Sequence, residues 1–225
     1  MQVVYEDNHI IIVSKLSGEI VQGDKTGDEP LSETVKKYLK MKYNKPGNVF
    51  LGVVHRLDRP VSGLVTFAKT SKALSRLNDM FRNGDVHKTY WALTRNYPPA
   101  EEGTLTHWLR RNEQQNKSYA YDKEVPGSKK AMLKYRVIGH GDNYTLLEVN
   151  LLTGRHHQIR CQLAKMGCPI KGDLKYGAKR SNADGSISLL SRHVEFIHPV
   201  SKELIKADAP LPDGPVWRDL APKDE

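Results

Sequence analysis

The stretch "HRLDRPVSGL", residues 55–64, sets one carboxylate, Asp58, between Arg56 and Arg59, just ahead of Pro60. The run before it, "VFLGVV", reads as a strand leaving a core, so the acid stands where a buried strand stops. Two chemistries fit. One is a surface ion pair of Asp58 with Arg59, which carries little energy. The other is a carboxylate that must stay ionised beside a polyanion, with cations at hand to hold it so. His55 and Ser62 supply the other residue types of a hydrolytic triad, yet the chain has no GxSxG nucleophile elbow. Further along, "GRHHQIR" gathers Arg155, His156, His157 and Arg160 near a helix start, where amide groups favour phosphate. Adjacent His-His lacks the face geometry of HExxH, so no metal is expected there. In "VHKTYWALTR" the alternation sends Lys88 and Tyr90 to one face and Thr89, Trp91 and Leu93 to the other. One aromatic can then face a core and the other a cleft.

Composition narrows the partner. The chain has 225 residues, 35 Lys+Arg against 26 Asp+Glu, and a net charge of +9. That length suits one large domain, or a core with an insertion. The basic balance favours nucleic acid or another anionic partner and says nothing about fold. Two cysteines, Cys161 and Cys168, lack both a disulfide framework and CxxC zinc spacing, which fits a reducing compartment. The N-terminus shows no signal-peptide pattern, and no apolar run approaches a membrane span. The expected location is the cytoplasm.

The elements that must position these residues read as follows. "VVYED" and "HIIIVSKL" are strands joined in a hairpin at Asp7-Asn8. "PLSETVKKYLKMKY" places Leu31, Val35 and Leu39 on one helical face. "SKALSRLNDMFRNG" is a helix with Ser71 as the expected cap and Gly84 as its stop. Residues 97–130 turn polar and read as an exposed excursion with some short strands. "AMLKYRVI" and "YTLLEVNLL" are strands, "GRHHQIRCQLAKMG" is a helix, and "ISLLSRHVEFIHP" brings a late strand. The tail, 213–225, is proline-rich and expected to be loose. Strands joined by hairpins outnumber helices, which argues an α+β fold with a mainly antiparallel mixed sheet flanked by a few helices. No GxxxxGK or GxGxxG loop supports a nucleotide cofactor.

Four ordered segments resemble one family. "HRLDRPVSGLVTFAKT" is similar to the central signature of the RluA family of pseudouridine synthases. "HKTYWAL", "LLTGRHHQIRCQLAKMGCPIKGDLKYG" and "LLSRHVEFIHPVSKELIKADAPLP" resemble its later motifs in the family's order. The resemblance spans roughly residues 1–212 and leaves no room before Val3 for the small RNA-binding domain of many relatives, so a catalytic domain alone is expected. The chain departs from the family in two places. It has "KLSG" at Lys15 to Gly18 where Lys-Pro-x-Gly is usual, and "GRHHQIRCQLA" where "GRTHQIRVHLA" is usual. His156 and Gln162 could therefore alter substrate choice.

The resemblance implies isomerisation of a uridine to pseudouridine in structured ribosomal or transfer RNA. The N1–C1′ bond breaks, the base turns, and C5 takes its place. The change is redox-neutral, so no cofactor is implied. Asp58 would be the catalytic carboxylate, attacking sugar or base or removing the C2′ proton, with those three routes open. Arg160 would be its cationic partner; read alone it is an ordinary solvated helix position. Tyr90 would stack on the base; read alone it is a core tyrosine. Arg56 would fill the gap left by the extruded base, with a plain phosphate contact as the simpler role. Arg59, Lys88, Arg155 and His157 are the remaining expected substrate-binding residues. Arg110, Arg111 and Lys117, with Lys171, Lys175 and Lys179, could touch the RNA backbone. RNA is the expected partner, with neither membrane nor metal, and the protein a monomer. The rival reading is a catalytically silent RNA-binding or ribosome-assembly factor with the same fold.

Overall fold

The computed structural model describes residues 1–223. The chain divides into two compact units. The first holds Met1–His87 and Ser191–Pro210; the second holds Lys88–Leu190 and the described residues from Leu211 to 223. Strands and a few helices together give the expected α+β, mainly antiparallel class.

In the first unit the order is β1 (Gln2–Glu6), β2 (Ile10–Lys15), β4 (Ser62–Ala68) and β10 (Leu189–Ile197, in this unit from Ser191). The two-residue β3 (Gly52–Val53) pairs with β4, and β11 (Leu204–Asp208) pairs with β10. "VFLGVV" is thus strand only at its centre. Every residue of β2 is buried, as an unbroken apolar run demands, and so is the lysine that ends it. Helix α1 (Leu31–Lys42) buries Leu31, Val35 and Leu39 as its spacing predicts. Helix α2 (Ser71–Asn83) is capped one residue earlier than expected: the Thr70 hydroxyl accepts the Ala73 amide hydrogen at 3.2 Å. Thr and Ser are both good caps, and the extended backbone of Thr70 decides between them.

In the second unit the order is β5 (His87–Thr94, in this unit from Lys88), β9 (Thr145–Leu151), β8 (Lys129–His140), β6 (Glu102–Asn112) and β7 (Lys117–Tyr121), with antiparallel neighbours. Residues 97–130, read as an exposed excursion with some short strands, carry longer strands than that reading gives. β6 runs 11 residues and pairs on both sides, and its turn continues into β7. Charged side chains on its outward face hide this from a composition reading. Helix α3 (Gln158–Lys165) packs beside the hairpin through Cys161, against Leu109, Ala131 and Tyr176. The tail is also more ordered than expected. Residues Pro215–Leu220 form α4 with Trp217 buried, and a side chain at Gly139 would collide with the Leu220 carbonyl.

Candidate active site

Asp58 lies in the first unit, half-buried on the loop between β3 and β4. Its carbonyl accepts the Val61 amide hydrogen at 3.0 Å, closing a tight turn over residues 58–61. Two devices fix that turn from below. The first is Lys15, fully buried at the end of β2. Its ammonium donates to the carbonyls of Val61 at 2.6 Å, Leu16 at 3.0 Å and Arg59 at 3.1 Å, using all three of its hydrogens. Burial pushes this ammonium down to about 8, while Glu19 and Asp58 pull it back up and Arg59 opposes them. The second is Gly63, at φ +113° on β4. A Cβ here would fall on the Ser191 backbone, 2.6 Å from its nitrogen and closer still to its oxygen, so only glycine lets β4 leave the loop alongside β10.

The flanking residues divide. Arg56 is exposed. Arg59 turns to the loop before α1, where it donates to Asp28 at 2.7 Å, Thr26 at 2.8 Å, Gly18 O at 3.3 Å and Asp24 at 3.4 Å. Arg59 forms ion pairs with Asp24 and Asp28 of that loop. His55 stacks on Phe81 with ring centres 4.8 Å apart, and its Nε2 accepts the Thr66 amide hydrogen at 2.9 Å. That lone pair is committed to the fold, which weakens the triad reading further.

Lys88, Tyr90, Arg155, His157 and Arg160 lie in the second unit. Tyr90 is buried on β5, opposite Val149 of β9. Burial pushes the Lys88 ammonium down. Arg160 is buried, not solvated, and forks onto Asp173: Nε to Oδ2 at 2.7 Å and Nη2 to Oδ1 at 2.9 Å. This is the paired geometry that makes arginine a fixed, directional cation. The Tyr176 ring lies under the guanidinium, 5.1 Å from Cζ.

His157 caps α3 in the left-handed region, φ +52°, a conformation that costs a non-glycine residue energy. Its ring stacks on His156 at 3.8 Å, and Nδ1 meets the Tyr176 hydroxyl at 2.8 Å. That hydroxyl also accepts the Ser118 amide hydrogen at 2.8 Å. Burial, then Arg160, His156, Lys175 and Arg111, push the His157 imidazole down to about 2. It is a neutral ring inside a cationic setting. Arg155 is exposed, with Nε on the Lys130 carbonyl at 3.1 Å.

Several residues flagged in the sequence serve the fold. Gln162 is fully buried and its amide reaches His107, Ala131 O and Leu105 O. His156 contacts Ser118 and Asn116 at the β6–β7 hairpin. Lys175 donates to the carbonyls of Asn116 and Gln115, Arg111 to Asn116, Arg110 to Tyr121, and Lys171 to Asn182. Three residues escaped sequence reasoning: Asp173, Tyr176 and, in its site role, Lys15. The signal for Lys15 was present, since a lysine closing an unbroken apolar strand must find acceptors. For Asp173 in "KGDLKYG" no spacing gave notice.

Comparisons with known proteins agree with the resemblance. The family described as RNA pseudouridylate synthase matches residues 9–165. The ribosomal large subunit pseudouridine synthase C of Vibrio cholerae is 32% identical over 215 residues, covering 93% of this chain and 65% of that protein. The ribosomal large subunit pseudouridine synthase D of Zymomonas mobilis is 30% identical over 222 residues, covering 94% and 69%. The chain thus spans about two thirds of the length of these curated relatives. The solved human RNA pseudouridylate synthase domain containing 4 superposes with a TM-score of 0.77 at 21% identity, covering 94% of this chain and 88% of that one, a likeness of fold. Among the described residues, no helix is long and apolar enough to cross a membrane, and no group of three or more His, Cys, Asp or Glu could hold a metal ion.

Proposed function

The chain belongs to the RNA pseudouridine synthases of the RluA type, a family of isomerases, and on that premise we propose that it converts uridines of structured ribosomal or transfer RNA to pseudouridine. The reaction breaks the N1–C1′ bond and forms C5–C1′; C5 gives up a proton and N1 takes one, so atoms and electrons balance without a carrier. Asp58 is the carboxylate that acts on the uridine. Arg160 supplies the fixed positive charge that keeps the reacting acid ionised once water is excluded. Tyr90 offers its ring to the extruded base, and Arg56 takes the vacated place in the RNA stack. Lys88, Arg155 and His157 hold the anionic backbone, aided by the α3 amides. The cytoplasm, where such RNA is made and modified, is the expected setting.

One observation carries the reading: in a chain of this family, the acid of "HRLD" sits half-exposed on a turn that a buried ammonium holds rigid. A surface salt bridge would need no such support. The test is tritium release from RNA containing 5-tritiated uridine. Wild type should release tritium and Asp58→Asn should not, while both bind the RNA in a gel shift. Equal release by the two proteins removes Asp58 from the chemistry. Binding without release by wild type would instead favour the silent RNA-binding factor.

A further inference from the structure

Arg59 sits next to the reacting acid, and a basic residue there reads naturally as a phosphate ligand. Its surroundings point elsewhere. Both terminal nitrogens are already spent on the chain: Nη1 on Asp28 and Gly18 O, Nη2 on Thr26 and Asp24. The Thr26 hydroxyl in turn donates to Asp24, so the acceptors form one connected group. A phosphodiester approaching Arg59 would meet two carboxylates first.

The backbone around Arg59 is tied to the same segment. Gly18 N donates to Arg59 O at 2.8 Å, the Ser17 hydroxyl to Pro60 O at 3.2 Å, and Lys15 to the carbonyls of Arg59 and Val61. Three consecutive carbonyls, those of residues 59, 60 and 61, are therefore held by residues 15–18. The Arg59 side chain extends the hold to residues 24–28. Each exposed ion pair here is worth little as stability. Their convergence on one planar fork fixes direction, which a point charge does not.

We infer that Arg59 is a positioning residue and that Asp24, Thr26 and Asp28 form an acidic arm that locks the Asp58 turn through it. The arm's role rests on the proposed isomerase activity. Its physical hold on the turn does not.

Three measurements test it together, below the melting temperature of each variant. In RNA binding, each phosphate contact contributes roughly 0.7–0.9 to the slope of log affinity against log salt. Arg59→Ala should leave that slope unchanged; a fall by about one contact overturns the inference and makes Arg59 an RNA ligand. Arg59→Lys keeps the charge and loses the fork. It should lower kcat for tritium release by roughly 10-fold or more, inside the ~100-fold that a 1 Å misplacement costs, with KM held within about twofold. Wild-type kcat in Arg59→Lys overturns the inference. Asp24→Asn with Asp28→Asn should reproduce that kcat loss; tighter RNA binding at unchanged kcat would make the arm a mere electrostatic screen and also overturns it. Amide exchange separates this failure from that of the proposed function. Even if wild type releases no tritium, the Gly18 and Val61 amides should be protected and should lose protection in the double variant. Unchanged protection there refutes the lock by itself.

Discussion

Consider Asp173→Asn. Asp173 and Arg160 bury 99% and 94% of their side chains and share two hydrogen bonds of 2.7 and 2.9 Å. Asparagine keeps the size and removes the charge, and its amide nitrogen then faces an N–H of the guanidinium. Removing one charge of a buried pair typically costs about 3–5 kcal/mol. For a chain of this size 1 kcal/mol moves the melting temperature by about 2–4 °C, so the loss should be roughly 6–20 °C. Calorimetry or urea unfolding measures it. A shift under about 2 °C would refute the assignment of this pair as a dominant contact of α3.

The same pair offers a second, sharper reading. Replacing both members by apolar residues of similar volume, Arg160→Met with Asp173→Leu, removes the remaining buried charge as well as the pair. Such swaps are often neutral or stabilising. The double variant should therefore recover most of the lost stability and recover none of the tritium release. Recovery of both would show that Arg160 serves the fold alone.

Two further outcomes follow from the Asp58 turn. Lys15 is held down to about 8 by burial, against an ordinary 10.5. Above pH 8 the amine keeps two hydrogens for three carbonyls and stops opposing the Asp58 charge, so kcat/KM should fall with an alkaline limb near pH 8. Unfolding cannot explain such a limb through this group: between pH 8 and 10.5 the unfolded chain binds the extra proton, so Lys15 makes folding more favourable as pH rises. A limb that persists unchanged in Lys15→Met would refute the assignment. Gly63→Ala places a methyl on the Ser191 backbone at a positive φ. Overpacking and left-handed strain together should destabilise the protein by roughly 2–5 kcal/mol in urea unfolding; a loss under about 1 kcal/mol would show that β4 and β10 can part without cost.

The residues proposed for the chemistry are more legible than the residues that hold them. Asp58, Arg160 and Tyr90 stand in stretches whose spacing is readable, and α1, α2 and β2 announce themselves by period and apolar run. What stayed hidden was long-range. Helix α3 is readable as a helix, but it buries six consecutive residues, Gln158 to Leu163, so its arginine looks solvated on paper. Asp173 meets Arg160 across 13 positions with no local signal. Trp217 marks a docked helix in a tail that composition alone calls loose. β6 and β7 carry charge outward and so read as an exposed excursion with only short strands, although the β8 register pins Glu102 to Leu109 residue by residue.

A common physical cause links the misses. An ionised acid that must meet a substrate cannot be stabilised by burial, because burial would raise its proton affinity. It has to stay partly in water while its backbone does not move. The chain solves this by sinking the supports and leaving the acid out: Lys15 goes fully into the core with its three hydrogens satisfied, and the Asp58 turn rides on them half-exposed. In the second unit Arg160 is sunk in the same way, held in direction by Asp173 and set over the ring of Tyr176. In each unit the buried ion is the one a sequence reading places at the surface, since a lone Lys or Arg is exposed in most proteins. In the proposed site, the buried and fully hydrogen-bonded Lys15 beneath the half-exposed Asp58 is the more distinctive of the two residues.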